Sequence, residues 1–218
     1  MTHKIFWQDP YLTQLDTHIT TVTGDDVTVA ETIFYAFSGG QESDAGTLGG
    51  FPVLAARKAD KEIIYTLEHG HGLRAGDAVT MTIDWTRRYR LMRLHFAAEI
   101  ILELACQHLQ PITKIGAHIA EDKSRIDFEW DKNIATAFPL LSERAHQLMY
   151  ENRDIVSAFS DEENEQRYWE IVGFARMPCG GTHLRRTGEV GELELKRKNI
   201  GKGKERIEIY LRIRVDGQ

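Results

Sequence analysis

The segment Thr86–Leu109, TRRYRLMRLHFAAEIILELACQHL, decides how the rest of the chain is read. It holds no Gly or Pro, and Leu91, Leu94, Ala98, Ile101, Leu102 and Ala105 recur at helical spacing, the mark of a long amphipathic helix. Pro111 marks its end. Upstream of Trp85 the texture is β. Asp26–Phe34 and Asp77–Ile83 are rich in Val, Thr and Ile, with turn signals at Thr23–Asp26 and His71–Asp77. Residues 37–50, FSGGQESDAGTLGG, carry too many Gly and small polar residues for a regular element and predict a loop. Downstream, Ile115–Trp130 reads as two strands around the polar turn Glu121–Ser124, Phe138–Glu151 as a second helix and Asp161–Glu165 as an exposed acidic turn. Ile207, Ile209, Leu211, Ile213 and Val215 alternate with polar residues as one half-buried strand. There is no internal repeat. The predicted class is α+β: a small β domain over residues 1–84, then an α+β domain over 85–218.

Composition narrows the function classes. Of 218 residues, 42% are apolar and 28% charged, with 5 Pro, the balance of a soluble globular protein and not of a disordered chain. The 33 Asp+Glu against 27 Lys+Arg give a net charge of -6, which taken whole counts against a polyanionic partner. The distribution says otherwise. Arg185–Arg214 holds ten Lys+Arg and five Asp+Glu, a local balance of +5. Two Cys cannot form a disulfide framework, and Cys106 within the apolar helix reads as a small buried thiol, so a reducing compartment is expected. MTHKIFWQDP lacks the basic-then-apolar order of a signal peptide, and Glu99 and Glu103 interrupt the most apolar stretch. The expected location is cytoplasmic, with no membrane partner.

The chemistry-bearing residues fall in two places. Met177-Pro178-Cys179-Gly180-Gly181-Thr182-His183 sets a thiol and an imidazole four positions apart around two Gly, a loop able to turn both toward one point as Zn²⁺ ligands. A lone C-x-x-x-H also arises by chance, and zinc needs three or four ligands, so partners are required. His95 and Glu99 on the long helix project from one face, one turn apart, and complete a four-group set. A hydrogen-bonded pair on a wet helix face is the competing reading. His69, His71 and His118 read as surface or satisfied core residues.

Arg87, Arg88, Arg90 and Arg93 precede His95 in the first two helical turns, where the macrodipole disfavours positive charge, so a bound polyanion would explain them better than solvent. Lys196–Arg206 is a second basic run. Its Gly201 and Gly203 would let backbone N–H groups, with Lys202 and Lys204, approach phosphates. A plain turn with solvated lysines fits the composition equally.

Together these blocks resemble a known family. Phe34-Tyr35 followed by Ser38-Gly39-Gly40-Gln41 and Asp44-x-Gly46, then Asp84-Trp85-Thr86-Arg87-Arg88 with Met92 and His95, then Cys179-Gly180-Gly181-Thr182-His183 with Thr187-Gly188-Glu189-Val190-Gly191, look like the alanyl-tRNA editing proteins of the AlaX type. These resemble the editing part of alanyl-tRNA synthetase. The match runs in order from about residue 28 to 215, and the Gly-rich block makes the chain similar to the medium-length members. The resemblance implies an N-terminal β-barrel-like domain, and an editing domain with a long helix packed on an antiparallel sheet. It implies a freestanding enzyme that hydrolyses the seryl or glycyl ester of tRNA for alanine, with a zinc ion held through H-x-x-x-H and C-x-x-x-H. Three of those positions map onto His95, Cys179 and His183. The fourth is Glu99, which can bind zinc with a lower Lewis acidity or swing away to act as a base. Gly39, Gly40, Gln41, Arg87 and Arg88, with Lys202 and Lys204, are the candidate substrate-binding residues, Gln41 lying along the acceptor end; Glu99 and Cys179 are the catalytic candidates.

Two rival readings share these residues. In one, Phe96 and Glu99 mark a decayed site in a non-catalytic tRNA-binding protein. In the other, a related hydrolase acts on another small aminoacyl substrate. Aminoacylation is not expected, because the chain has no evident ATP-binding signature.

Overall fold

A computed structural model describes residues 1–212. Mixed α/β structure with antiparallel sheets and two α-helices makes up two compact units, and the division falls between Tyr89 and Arg90.

The first unit contains β1 (His3–Lys4), β2 (Gln14–Thr23), β3 (Asp26–Val29), β4 (Glu31–Thr32), β5 (Gly46–Leu48), β6 (Phe51–Pro52), β7 (Ala55–Ala59), β8 (Glu62–Thr66) and β9 (Ala78–Ile83). Seven of these strands form one sheet in the order β6-β5-β9-β2-β3-β8-β7, while β1 and β4 pair in parallel. Strand β2 makes the sheet curl. Its first half pairs with β9 and its second with β3, with a register shift between Ile19 and Thr21, and such bulges bend a strand. The result is a curled half-barrel with β6 and β7 at its edges among the described strands, not a closed barrel. Its core includes Ile19, Val27, Phe34, Leu48, Tyr65 and Met81.

Three expectations change here. The predicted loop over residues 37–50 contains β5. Gly46 stands where a Cβ would lie 2.1 Å from the Thr82 carbonyl oxygen, so this glycine permits close backbone pairing and does not make a turn. Gln41 is 1% exposed, with its backbone bridged to that of Ser38, so its side chain is buried and not displayed at the surface. Arg88 is fully buried. Its Nε donates to Asp44 Oδ1 (2.8 Å), Nη1 to the Pro10 carbonyl (2.9 Å), and Nη2 to Asp44 Oδ2 and the Ile33 carbonyl. Asp44 Oδ2 also accepts from the Tyr35 amide at 2.7 Å. Arg88 is spent on tying the Gly-rich segment to the helix start, and that removes it from any role with a polyanion.

Helix α1 (Trp85–His108) begins where the Asp84 side chain and carbonyl accept the Arg87 and Arg88 amides, at 3.1 and 3.0 Å, an N-cap of the preferred kind. The expected amphipathicity is absent. Between Leu91 and Ala105 every residue is buried except Arg93, Glu99 and Glu103, so the helix is enclosed on nearly all sides. Cys106 is half-buried, less enclosed than expected, and burial pushes its thiol up. No described helix is long and apolar enough to cross a membrane.

The second unit continues with β10 (Thr113–Ile119), β11 (Ser124–Glu129), α2 (Phe138–Glu151), β12 (Val156–Asp161), β13 (Gln166–Ile171), β14 (Ala175–Pro178), β15 (Leu193–Gly201) and β16 (Lys204–Leu211). Two antiparallel sheets result, β10-β11-β16-β15 and β12-β13-β14. Helix α2 carries Pro139 in its first turn and ends at Asn152 in the left-handed conformation, the usual means of starting and stopping a helix. Of the predicted last strand, Ile213, Arg214 and Val215 lie outside the described residues.

Candidate functional site

Two segments of the second unit supply the cluster. On α1, His95 and Glu99 sit one turn apart, and neither is on a wet face: their side chains are 6% and 13% exposed. Cys179 directly follows β14, where its amide donates to the Arg167 carbonyl (2.9 Å) and prolongs the pairing with β13 by one step. The chain then turns through Gly180 and Gly181 to the buried His183. Cys179 Sγ lies 3.3 Å from His95 Nε2 and 3.2 Å from His183 Nε2. The three donor atoms are all within 4.8 Å of one another. Glu99 Oε1 stands at their edge, 3.5 Å from His95 Nε2 and 3.9 Å from Cys179 Sγ.

Electrostatics follow from that crowding. Burial opposes charge on His95, yet the Cys179 thiolate and the Glu99 carboxylate outweigh it and push the imidazole up to about 10. Burial likewise opposes a thiolate, but His95 and His183 overcome it and bring Cys179 down to about 6. Glu99 is pulled down to about 2, against burial, by His95, Trp169 and His183. The cluster holds its anionic donors ionised, with the His95 imidazole held protonated beside them. Two imidazole nitrogens, a thiolate and a carboxylate oxygen are a proper zinc donor set, so the residues present fit that metal.

Neighbouring residues complete the surroundings. Trp169, fully buried on β13, donates Nε1–H to Glu99 Oε2 (2.9 Å). Ser157 Oγ on β12 lies 2.9 Å from His183 Nδ1. Phe96 packs edge-on against both Trp169 and His183, with ring centres 5.3 and 5.9 Å away. The buried Arg167 guanidinium rests on the Phe159 ring at 5.0 Å. Burial lowers it to about 10, partly countered by the Cys179 thiolate. No local sequence signal marks Ser157, Arg167 and Trp169, because strand pairing brings them in.

The candidate substrate residues divide between the units. Gly39, Gly40, Gln41, Arg87 and Arg88 belong to the first. Gly39 is exposed, and Arg87 is held by Glu42 (2.8 Å) and the Ser43 carbonyl (3.1 Å). In the second unit Lys202 and Lys204 are exposed at the β15–β16 turn. Much of the basic run around them is internally matched: Arg197 makes two 2.6 Å bonds to Glu205, and Arg206 binds Asp127 at 2.6 and 3.0 Å. The Gly201 amide donates to Asn199 Oδ1 (3.2 Å) and is not turned outward to a phosphate. Arg90 and Arg93 likewise donate to the Glu121 and Val190 carbonyls.

The Thr187–Gly191 block has a structural task. Thr187 Oγ1 donates to the Leu148 carbonyl (2.7 Å) and accepts the Arg153 amide (2.9 Å), and the Gly188 amide donates to Asn152 Oδ1 (3.2 Å). These bonds close the C-terminal end of α2. A side chain on Gly188 would meet Asn152 Oδ1 at 2.5 Å.

Residues 170–208 match the family described as the threonyl and alanyl tRNA synthetase second additional domain. The alanyl-tRNA editing protein AlaX-M of Pyrococcus horikoshii is 29% identical over 97% of this chain and 98% of its own length. That of Methanosarcina acetivorans is 32% identical over 95% and 98%. The alanine–tRNA ligase of Methanococcus aeolicus is 29% identical over 95% of this chain, which spans 25% of the ligase.

Proposed function

Because this chain belongs to the family of alanyl-tRNA editing proteins of the AlaX-M type, we propose that it is a trans-acting deacylase that hydrolyses the seryl or glycyl ester of tRNA for alanine, with zinc in the second unit. One observation carries the reading: His95, Cys179 and His183 bring three metal-ligating atoms within 4.8 Å of one another. Glu99 is the fourth ligand. Zinc supplies a Lewis-acid centre for an ester carbonyl or a water. The chain's residues do the rest. His95 and His183 present Nε2, Cys179 presents a thiolate, and the Phe96 and Trp169 rings keep one side of the cluster dry. Lys202 and Lys204 meet tRNA phosphates, and the exposed Gly39, the half-buried Gly40 and Arg87 meet the acceptor end. The proposed domain roles follow, with residues 85–218 holding the deacylase site and 1–84 the Gly-rich loop.

The test is to mix zinc-loaded protein with seryl- and glycyl-tRNA for alanine and follow loss of the ester. Hydrolysis of either, with correctly charged alanyl-tRNA spared, is the expected outcome. Binding of the tRNA with no turnover would point to a non-catalytic tRNA-binding protein, and turnover of a small aminoacyl ester that needs no tRNA to a different hydrolase.

A further inference from the structure

We propose that Ser157 and Trp169 are positioning residues that act as one unit, Ser157 setting His183 and Trp169 holding Glu99 as a one-oxygen ligand that cannot swing away as a base. The inference rests on the metal-site reading above. Ser157 and Trp169 lie directly opposite each other in the β12–β13 register, and opposed residues of an antiparallel pair share a face at short range. This one cross-strand pair thus reaches both ligand-bearing segments: Ser157 Oγ the His183 Nδ1 at 2.9 Å, and Trp169 Nε1 the Glu99 Oε2 at 2.9 Å. An imidazole's free nitrogen is fixed by what the other nitrogen binds. With Nδ1–H donated to Ser157, His183 offers the Nε2 lone pair toward Cys179.

The Trp169 contact is more restrictive. An indole N–H only donates, and Trp169 is fully buried, so its donor must keep a partner. Its ring cannot follow a moving carboxylate, because Phe96 stands edge-on to it (5.3 Å) and Phe174 is stacked on it (6.5 Å). Turning Glu99 outward would strand that N–H inside the protein. The same bond occupies Oε2 and leaves Oε1 to face His95 and Cys179, at 3.5 and 3.9 Å.

The test measures metal binding in the full chain, apart from catalysis. Zn²⁺ affinity is read by chelator competition, and the ligand set by the absorption spectrum of the Co²⁺-loaded protein. Trp169→Phe and Ser157→Ala should each weaken Zn²⁺ binding by about 10- to 100-fold, and Ser157→Thr, which keeps the hydroxyl, should restore it. The Trp169→Phe cobalt spectrum should shift as that of Glu99→Gln does. If both variants bind Zn²⁺ within about twofold of wild type with unaltered cobalt spectra, while His95→Ala and Cys179→Ala lose the metal, the positioning role is refuted and the metal site stands. If wild type binds neither cation, the metal-site reading fails and takes this inference with it. Thermal melts check folding. Ser157→Ala deletes one hydroxyl from the solvent-facing end of the pair, so it carries the test even if Trp169→Phe does not fold.

Discussion

Arg88 with Asp44 in the first unit, and His95 with Glu99, Cys179 and His183 in the second, are both ionisable sets withdrawn from water, a costly step in either place. They are arranged oppositely. Arg88 has its donors on Asp44, Pro10 and Ile33, and Asp44 accepts in addition from the Tyr35 amide. Every directional group points at another part of the same unit. In the second set the atoms that face one another are Nε2, Sγ, Nε2 and Oε1, all of them metal-ligating atom types, and they converge on one another. A buried charge marks a reactive site when its lone pairs meet at a point, and a structural pin when N–H groups of its own chain have already claimed them.

That contrast is broken or sharpened by five substitutions and one titration. Cys179→Ala should lower deacylation by about a thousandfold, since a Lewis-acid contribution of several kcal/mol is lost, with a loss of stability in chemical denaturation smaller than that of Arg88→Ala. Arg88→Ala should do the reverse. It leaves the Asp44 carboxylate buried and unpaired, so stability should fall by about 3–5 kcal/mol while the isolated zinc affinity of the folded fraction is unchanged. Should Cys179→Ala prove the less stable of the two, the distinction collapses.

A smaller effect concerns acidity. In metal-free protein the Cys179 thiol, lowered from 9.0 to about 6 by His95 and His183 against burial, should be alkylated by iodoacetamide at a rate that rises through pH 6 and is flat above it. His95→Gln removes one of the charges that lower it and should move the midpoint upward. By linkage, a depressed thiol contributes stability that is present above its ordinary value and lost as pH falls through about 6. A wild-type midpoint near 9 would refute the lowering of the thiol by its two histidine neighbours. The smallest change is expected at the β15–β16 turn: Lys202→Ala and Lys204→Ala should each reduce the salt dependence of tRNA binding by about one ion without altering turnover at saturating tRNA.

What the sequence disclosed depended on whether the signal was local. Helix α1 lies within one residue of its predicted bounds and α2 matches them, because periodicity and Pro placement act over one segment. The β10–β11 hairpin was legible for the same reason. Strands β2, β7 and β8 were not, since β2 buries Thr17 as well as Ile19 and β7 is the exposed run Ala55–Ala59, which is a strand only through its pairing with β8. The cluster's own residues stand in short motifs, so their types and spacing were visible in the sequence. Arg88 could not be separated from its basic neighbours, because the partner that buries it is 44 positions away. Ser157 and Trp169 carry no local mark, since their contacts with His183 and Glu99 arise from strand register.

The Thr187–Gly191 block has a consequence for classification. Its hydroxyl, amide and missing side chain are all engaged with Leu148, Asn152 and Arg153, so the pentapeptide records how one helix is finished. Proteins sorted by that pentapeptide would be grouped by a shared piece of carpentry, which by itself says nothing of their reactivity.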